Sequence, residues 1–184
     1  MHRGINRQSI FGDDSDRETF LMCLESVTTQ HGVGVHVFAL MPNHYHLLAT
    51  PLSEAALPNA MRALGIRYTQ YYNRKYQRVG TLWTGRYRSI PIENEQYWFT
   101  CLKYIELNPV RAQLVVRPED YQWSTYRTYA FGEPRGWIVQ HELCLSLGTN
   151  AEERQLAYRR ICSEPLTEAD LVRQRIGRRW ETGS

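Results

Sequence analysis

The sequence predicts an α+β fold: an antiparallel sheet with helices on one face, followed by a helical tail. Three observations predict it. Apolar residues recur at helical spacing near the start of the chain, at Phe20, Leu21, Leu24 and Val27. An alternating, β-branched segment over 33–40 is followed, after Met41-Pro42-Asn43, by a second extended segment over 44–50. From Tyr121 onward the chain reads as three or four short helices.

Each element follows from local signals. Ser15-Asp16-Arg17-Glu18 has the form of a capping box and starts a helix running from Asp16 to about Gln30, stopped by His31-Gly32. Val33, Val35 and Val37 mark the first strand, and the short Pro-containing link makes 33–40 and 44–50 an antiparallel hairpin. Ser53 opens a long helix that carries Leu57, Met61, Leu64, Tyr68, Tyr71 and Tyr72 and ends near Gly80. Residues 86–92 alternate Arg86 and Arg88 with Tyr87, Ile90 and Ile92, and predict another strand. Asn94 caps a helix that ends near Asn108, because the residue before Pro109 is pushed out of helical geometry. The resulting order resembles a ferredoxin-like plan that lacks its first strand, with a domain over 1–120 and a helical extension over 121–184.

Composition narrows the function. The chain has 184 residues, 42% of them hydrophobic and 22% charged, as in a globular protein. No apolar run approaches the length of a membrane span, and Met1 to Gln8 lacks the apolar core of a secretion signal. Cys23, Cys101, Cys144 and Cys162 are far apart and form no Cys-x-x-Cys pair, so they read as reduced thiols of a cytoplasmic protein. The formal net charge of +3 hides a bias: of the 22 basic residues only Lys75 and Lys103 are not arginine. Arginine offers a planar fork of donors that suits phosphates and stacks on rings.

Three constellations carry chemistry. His44-Tyr45-His46 lies on a predicted strand, where residues two apart share a face; the imidazoles either converge on one metal ion or are two unrelated half-buried side chains. Tyr104 and Asn108, four apart on a helix, are either a nucleophile and a neutral oxygen ligand or a core tyrosine and a helix cap. From Ala55 to Ile92 there is no Asp or Glu, while Arg62, Arg67, Arg74, Lys75, Arg78, Arg86 and Arg88 interleave with Tyr68, Tyr71, Tyr72, Tyr76, Trp83 and Tyr87. That run favours a polyanion partner over a merely solvated helix face, since cations displace counterions from phosphates and aromatic faces stack bases.

Taken together, Arg3-Gly4-x-Asn6-Arg7-Gln8, Met41-Pro42-Asn43-His44-Tyr45-His46-Leu47-Leu48, Gly80-x-Leu82-Trp83-x-Gly85-Arg86-Tyr87, Tyr104-Ile105-x-Leu107-Asn108-Pro109-Val110-Arg111 and Trp123-Ser124-x-Tyr126 resemble the single-tyrosine transposases of the HUH superfamily, and among them the REP-associated tyrosine transposases. The resemblance runs from about Arg3 to about Tyr129. It implies an HUH catalytic domain and a metal-dependent endonuclease and strand transferase acting on single-stranded DNA beside REP-like hairpins. It further implies that His44 and His46 hold a divalent metal, Mg²⁺ or Mn²⁺, that Asn108 completes the site in the place where insertion-sequence relatives more often carry glutamine, and that Tyr104 is the nucleophile. Arg62, Arg67, Arg74, Lys75, Arg78, Trp83, Arg86 and Arg88 are the candidates for gripping DNA. No nucleotide cofactor or membrane is implied, and the resemblance leaves monomer and homodimer open. Two other readings remain: a hairpin-binding regulator that has lost catalysis, and a zinc hydrolase built on His-x-His, which lacks a clear third histidine and a paired general base. His36 on the first strand either approaches the metal or packs, and the arginines from Arg173 to Arg179 either add DNA contacts or form a solvated helix face.

Overall fold

The computed structural model describes residues 1–164 and 166–167. The arginines from Arg173 to Arg179 lie outside them. The backbone clusters into two units, one made of Met1–Arg88 with Arg135–Val139, the other of Ser89–Pro134 and the residues from Gln140 on.

In the first unit, α1 (Asp14–His31) starts earlier than the Ser15 signal suggests. Asp13 is the N-cap, accepting from the Asp16 backbone N–H, and the Asp16 side chain returns the bond to the Asp13 N–H. Ser15 serves the cap instead, donating to Asp13 at 2.8 Å. Gly32, at φ 68°, takes the left-handed conformation that closes the helix. β2 (Val33–Met41) and β3 (His44–Pro51) then form the expected hairpin, with Met41 opposite His44 across Pro42-Asn43. A register irregularity between Val35 and Val37 marks the place of His36. Its Nδ1 bonds the Val139 carbonyl at 2.7 Å and its Nε2 the Thr50 hydroxyl at 2.9 Å, so His36 holds the 135–139 segment on β2.

The sheet order is β1-β3-β2, where β1 is only His2–Arg3, opposite Tyr45 and His44. This corrects the expectation of a missing first strand: two residues fill that place. Residues 86–92 form no strand, contrary to the alternation of their side chains. The stretch 82–88 instead runs antiparallel to the start of the chain, through Ile5 N–H to Leu82 O (2.9 Å), Thr84 N–H to Arg3 O (2.8 Å) and a reciprocal pair between Met1 and Arg88. Gly85, at φ 62°, interrupts it, and only Gly4–Trp83 qualifies as a bridge. The lanes therefore lie in ferredoxin-like order: 82–88, β1, β3, β2.

α2 (Ala56–Lys75) packs on α1 and on β2. Tyr45 shows that both helices share one face of the sheet. Its fully buried ring lies 4.8 Å from that of Phe20 on α1, and its hydroxyl meets Met61 on α2. Side chains alternate along a strand, so His44 and His46 project from the opposite face.

The two helices are also joined by charge. Asp16 is fully buried and accepts from the Gly12 N–H, from the Tyr71 and Tyr76 hydroxyls and from Lys75 Nζ at 2.7 Å. Burial pushes its carboxyl up, but the bonds from Lys75, Gly12 and the tyrosines outweigh it and hold the carboxyl below its ordinary value. Lys75 and Ser15 likewise hold Asp13 down to about 2. Folded-state values below the unfolded ones mean that this stabilisation is complete above the ordinary carboxylate range and is lost as pH falls from about 4 toward 2. Asp16→Asn is expected to cost about 3 kcal/mol at pH 7. Urea melts at pH 7 and pH 3 check it; the gap from wild type narrows at pH 3.

The second unit holds α3 (Glu95–Glu106), capped by Asn94 as expected, with Asn94 accepting from the Tyr97 N–H at 2.9 Å. The helix breaks at Leu107 and resumes as α4 (Asn108–Arg111), with Pro109 in its first turn, where a missing N–H is tolerated. α5 (Tyr126–Phe131), α6 (Glu142–Leu145) and α7 (Ala151–Ser163) follow. α3 packs on α7 around Glu106, whose buried carboxylate accepts from Thr125 and Tyr158, each at 2.7 Å. Among the described residues no helix is long and apolar enough to cross a membrane, and the four cysteines form no disulfide.

Candidate active site

Strand parity brings His44 and His46 together. Their ring centroids are 4.9 Å apart and nearly perpendicular. His46 is buried and His44 half-buried. The turn that makes the hairpin also orients the first imidazole: His44 Nδ1 lies 2.7 Å from Asn43 Oδ1. An amide oxygen only accepts, so with this amide orientation Nδ1 carries the proton and Nε2 keeps its lone pair. Asn43 is itself held, donating from Nδ2 to the Arg7 carbonyl at 3.1 Å and accepting at its own carbonyl from Gly4 N–H at 2.9 Å. Gly4 has no room for a side chain; a Cβ there would stand 2.5 Å from the Gln8 carbonyl and 2.8 Å from Ile10 Cγ2. The segments Arg3-Gly4-x-Asn6-Arg7 and Pro42-Asn43-His44 are therefore one scaffold behind the imidazole pair. Asn43 reads from sequence as a turn residue only; its place beside His44 was the available signal.

The donor set suits a divalent metal in part. Two imidazoles share one strand face, and one of them is held through its Nδ1 by a neighbouring amide oxygen, as metal-binding histidines are commonly held through the nitrogen that does not face the metal. Among the described residues no group of three or more His, Cys, Asp or Glu is assembled. Asn108, an oxygen ligand in the expectation from sequence, is buried, and its Nδ2 makes no hydrogen bond.

His44 and His46 belong to the first unit, Tyr104 and Asn108 to the second. Tyr104 is buried in α3, with the Arg111 guanidinium 5.0 Å from its ring centroid. Tyr45, between the two histidines, is unsuited to nucleophilic work: it is sealed in the core, and burial pushes its hydroxyl well above the ordinary tyrosine value.

The basic candidates divide by their partners. Lys75 is matched by Asp13 and Asp16. Arg67 donates to Ser26 and Gln30 of α1, and Arg78 donates to Gln8 and lies over the Tyr72 ring. Arg62, Arg74, Arg86 and Arg88 are exposed. Trp83 is buried against α2, donating from its indole to the Gly65 carbonyl at 3.3 Å.

A family model described as "Transposase IS200 like" matches residues 1–108. No curated protein matches the chain in sequence. A solved structure of a REP-associated tyrosine transposase bound to a REP hairpin is similar in fold, with a TM-score of 0.56 and 16% sequence identity, over 76% of this chain and 82% of that one.

Proposed function

Since the chain belongs to the IS200-like transposase family, we propose that it cuts single-stranded DNA beside hairpins and rejoins the strands, with Tyr104 as nucleophile. The observation that carries this reading is the pair His44–His46, 4.9 Å apart and braced by Asn43. His44, His46 and Asn108 would hold Mg²⁺ or Mn²⁺. Imidazole suits Mn²⁺ better, so Mn²⁺ binds more tightly. When bound, such an ion supplies electrophilic polarisation of the scissile phosphate.

The Tyr104 oxygen loses its proton and attacks phosphorus. The bond from phosphorus to the 3′ oxygen breaks, and that oxygen leaves with the electron pair and is protonated. The products are a 5′-phosphotyrosine and a 3′-hydroxyl. A 3′-hydroxyl from the same or another strand then attacks the phosphotyrosine, Tyr104 departs as phenolate and regains its proton, and the DNA is joined. One phosphate ester replaces another, so no nucleotide is consumed. Arg111 places positive charge against the ring that must carry the departing phenolate. The hairpin partner rests on the similar structure, which holds a REP hairpin. The exposed Arg62, Arg74, Arg86 and Arg88 are the cations offered to its phosphates, with Arg67, Arg78 and Lys75 braced behind them against α1, Gln8 and the Asp13–Asp16 pair. In this reading residues 1–120 are the catalytic domain and 121–184 its helical extension, and the protein acts in the cytoplasm at the nucleoid.

The test is incubation with Mn²⁺ and end-labelled hairpins with single-stranded flanks, drawn from the protein's own genomic neighbourhood. A covalent protein–DNA band on a denaturing gel is expected. Hairpin binding without any covalent band, across all the flanks tried, would instead favour a regulatory hairpin binder. A further expectation concerns the brace: Asn43→Ala weakens Mn²⁺ binding by about tenfold to a hundredfold by releasing the His44 tautomer. Calorimetric Mn²⁺ titration checks this.

A further inference from the structure

We propose that Arg3 grips the scissile phosphate, its guanidinium holding the non-bridging oxygens beside the His44–His46 pair. The inference rests on the reading of the chain as a single-stranded DNA enzyme, and adds a catalytic residue to it.

β1 is only two residues long, and it presents them to opposite faces of the sheet. His2 lies opposite Tyr45 and takes the helix face, where its ring stacks on Trp83 with centroids 4.3 Å apart. Arg3 therefore takes the other face. It lies directly opposite His44 in the antiparallel register, and side chains so opposed are neighbours on one face, with Cβ atoms about 5 Å apart. The backbone is held on both sides of this pair: Thr84 N–H donates to the Arg3 carbonyl at 2.8 Å, and Gly4 N–H donates to the Asn43 carbonyl at 2.9 Å. The same Asn43 bonds His44 Nδ1 at 2.7 Å. One scaffold thus fixes both the root of the Arg3 side chain and the first imidazole.

Charge points to the ligand. Arg3 is half-buried, and among the described residues its guanidinium makes no hydrogen bond or ion pair. Lys75, Arg67 and Arg78 in the same unit all have side-chain partners. A partly desolvated cation with no acid beside it is costly until an anion arrives. The neighbouring imidazoles supply no negative charge, and no cluster of carboxylates is assembled among the described residues. The scissile phosphate is such an anion, and its non-bridging oxygens gain charge as the Tyr104 oxygen begins to bond to phosphorus. The planar fork of arginine matches two of those oxygens, and a fixed cation there is worth more in the transition state than in the bound substrate.

The test begins with single-turnover cleavage of a labelled hairpin in saturating Mn²⁺, which also maps the scissile phosphate. Arg3→Gln is expected to form the covalent adduct about 100-fold more slowly than wild type. A thermal melt verifies its fold, and calorimetry should show Mn²⁺ bound no more weakly, because a cation beside the metal site has been removed. The second arm is fluorescence anisotropy in EDTA, so that no cleavage occurs, with the same hairpin and with one carrying a neutral methylphosphonate at the scissile position. Wild type should bind the natural hairpin about fivefold more tightly than the methylphosphonate, and Arg3→Gln should bind the two alike. Arg3→Lys keeps the charge without the fork, so it should retain part of the preference and still cleave slowly. Adduct formation by Arg3→Gln at the wild-type rate, a preference that is absent in wild type or undiminished in Arg3→Gln, or a loss of Mn²⁺ affinity as large as the loss of rate would overturn the role of Arg3 and leave the DNA reading standing. Absence of any adduct in wild type would remove both.

Discussion

Tyr104→Phe is expected to abolish the covalent protein–DNA adduct, with a loss on the order of 10⁵-fold in cleavage rate, and to leave hairpin binding within about threefold of wild type. The substitution removes one oxygen. It leaves the ring that Arg111 covers at 5.0 Å and the burial of the side chain in α3. Folding and DNA contacts therefore persist, and the missing atom is the one that would bond to phosphorus. Tyr45→Phe is the matched control. It deletes a hydroxyl whose contact is the Met61 sulfur, 3.8 Å away in the core, so adduct yield should stay near wild type. Denaturing gels of both variants with the same labelled hairpin check the pair of outcomes. Persistence of the adduct in Tyr104→Phe would move the nucleophile elsewhere and sink the proposed mechanism.

His46→Ala should have the second-largest effect, weakening Mn²⁺ binding by more than about 100-fold and removing the adduct. In the proposed site each of the two imidazoles would supply one nitrogen, and a site left with one imidazole would lose both affinity and directionality. His46 is buried, so His46→Gln is the companion that keeps most of the side-chain volume. It should fold as wild type in thermal melts and still bind Mn²⁺ poorly. The effect should exceed that of Asn43→Ala, which leaves both imidazoles in place and removes the bonds from the Asn43 amide to His44 Nδ1 and to the Arg7 carbonyl. Unchanged Mn²⁺ affinity in His46→Gln would remove the metal from the proposed site.

Much of the hairpin was legible because its determinants are local. β-branched alternation over 33–40 and the short Pro42-Asn43 link specify an antiparallel pair, and strand parity then places His44 and His46 on one face whatever surrounds them. Asn94 is read correctly as a cap for the same reason, since its acceptor meets the Tyr97 N–H three residues on. Ser15 misleads because Asp13, two residues earlier, already caps the helix, accepting from the Asp16 N–H with a charged oxygen, so Ser15 lies inside the first turn. Residues 86–92 mislead because alternation reports which side chains share a face, not whether the backbone finds a partner. Their neighbours 82–88 find one only at the start of the chain, and Gly85 breaks the ladder.

What the sequence determined by itself is therefore the run of α1, β2, β3, α2 and α3, the imidazole pair, and the family motifs of the IS200-like transposases. Tertiary structure decided which charges are available and where cavities lie. Lys75 belongs to an acid-free, basic stretch when read along the chain, yet in the fold its charge is matched by Asp13 and Asp16. His2 is an unremarked residue near the start of the sequence, yet in the fold it lines a cavity with Trp83 and keeps a buried nitrogen without a partner. The physical reason is the same in both cases. Periodicity, capping and strand parity act over a few residues and leave their mark in local sequence. Hydrogen-bond and ion-pair partners some 60 to 80 positions apart, such as Lys75 with Asp13 and His2 with Gly85, are chosen by how the helices and strands pack.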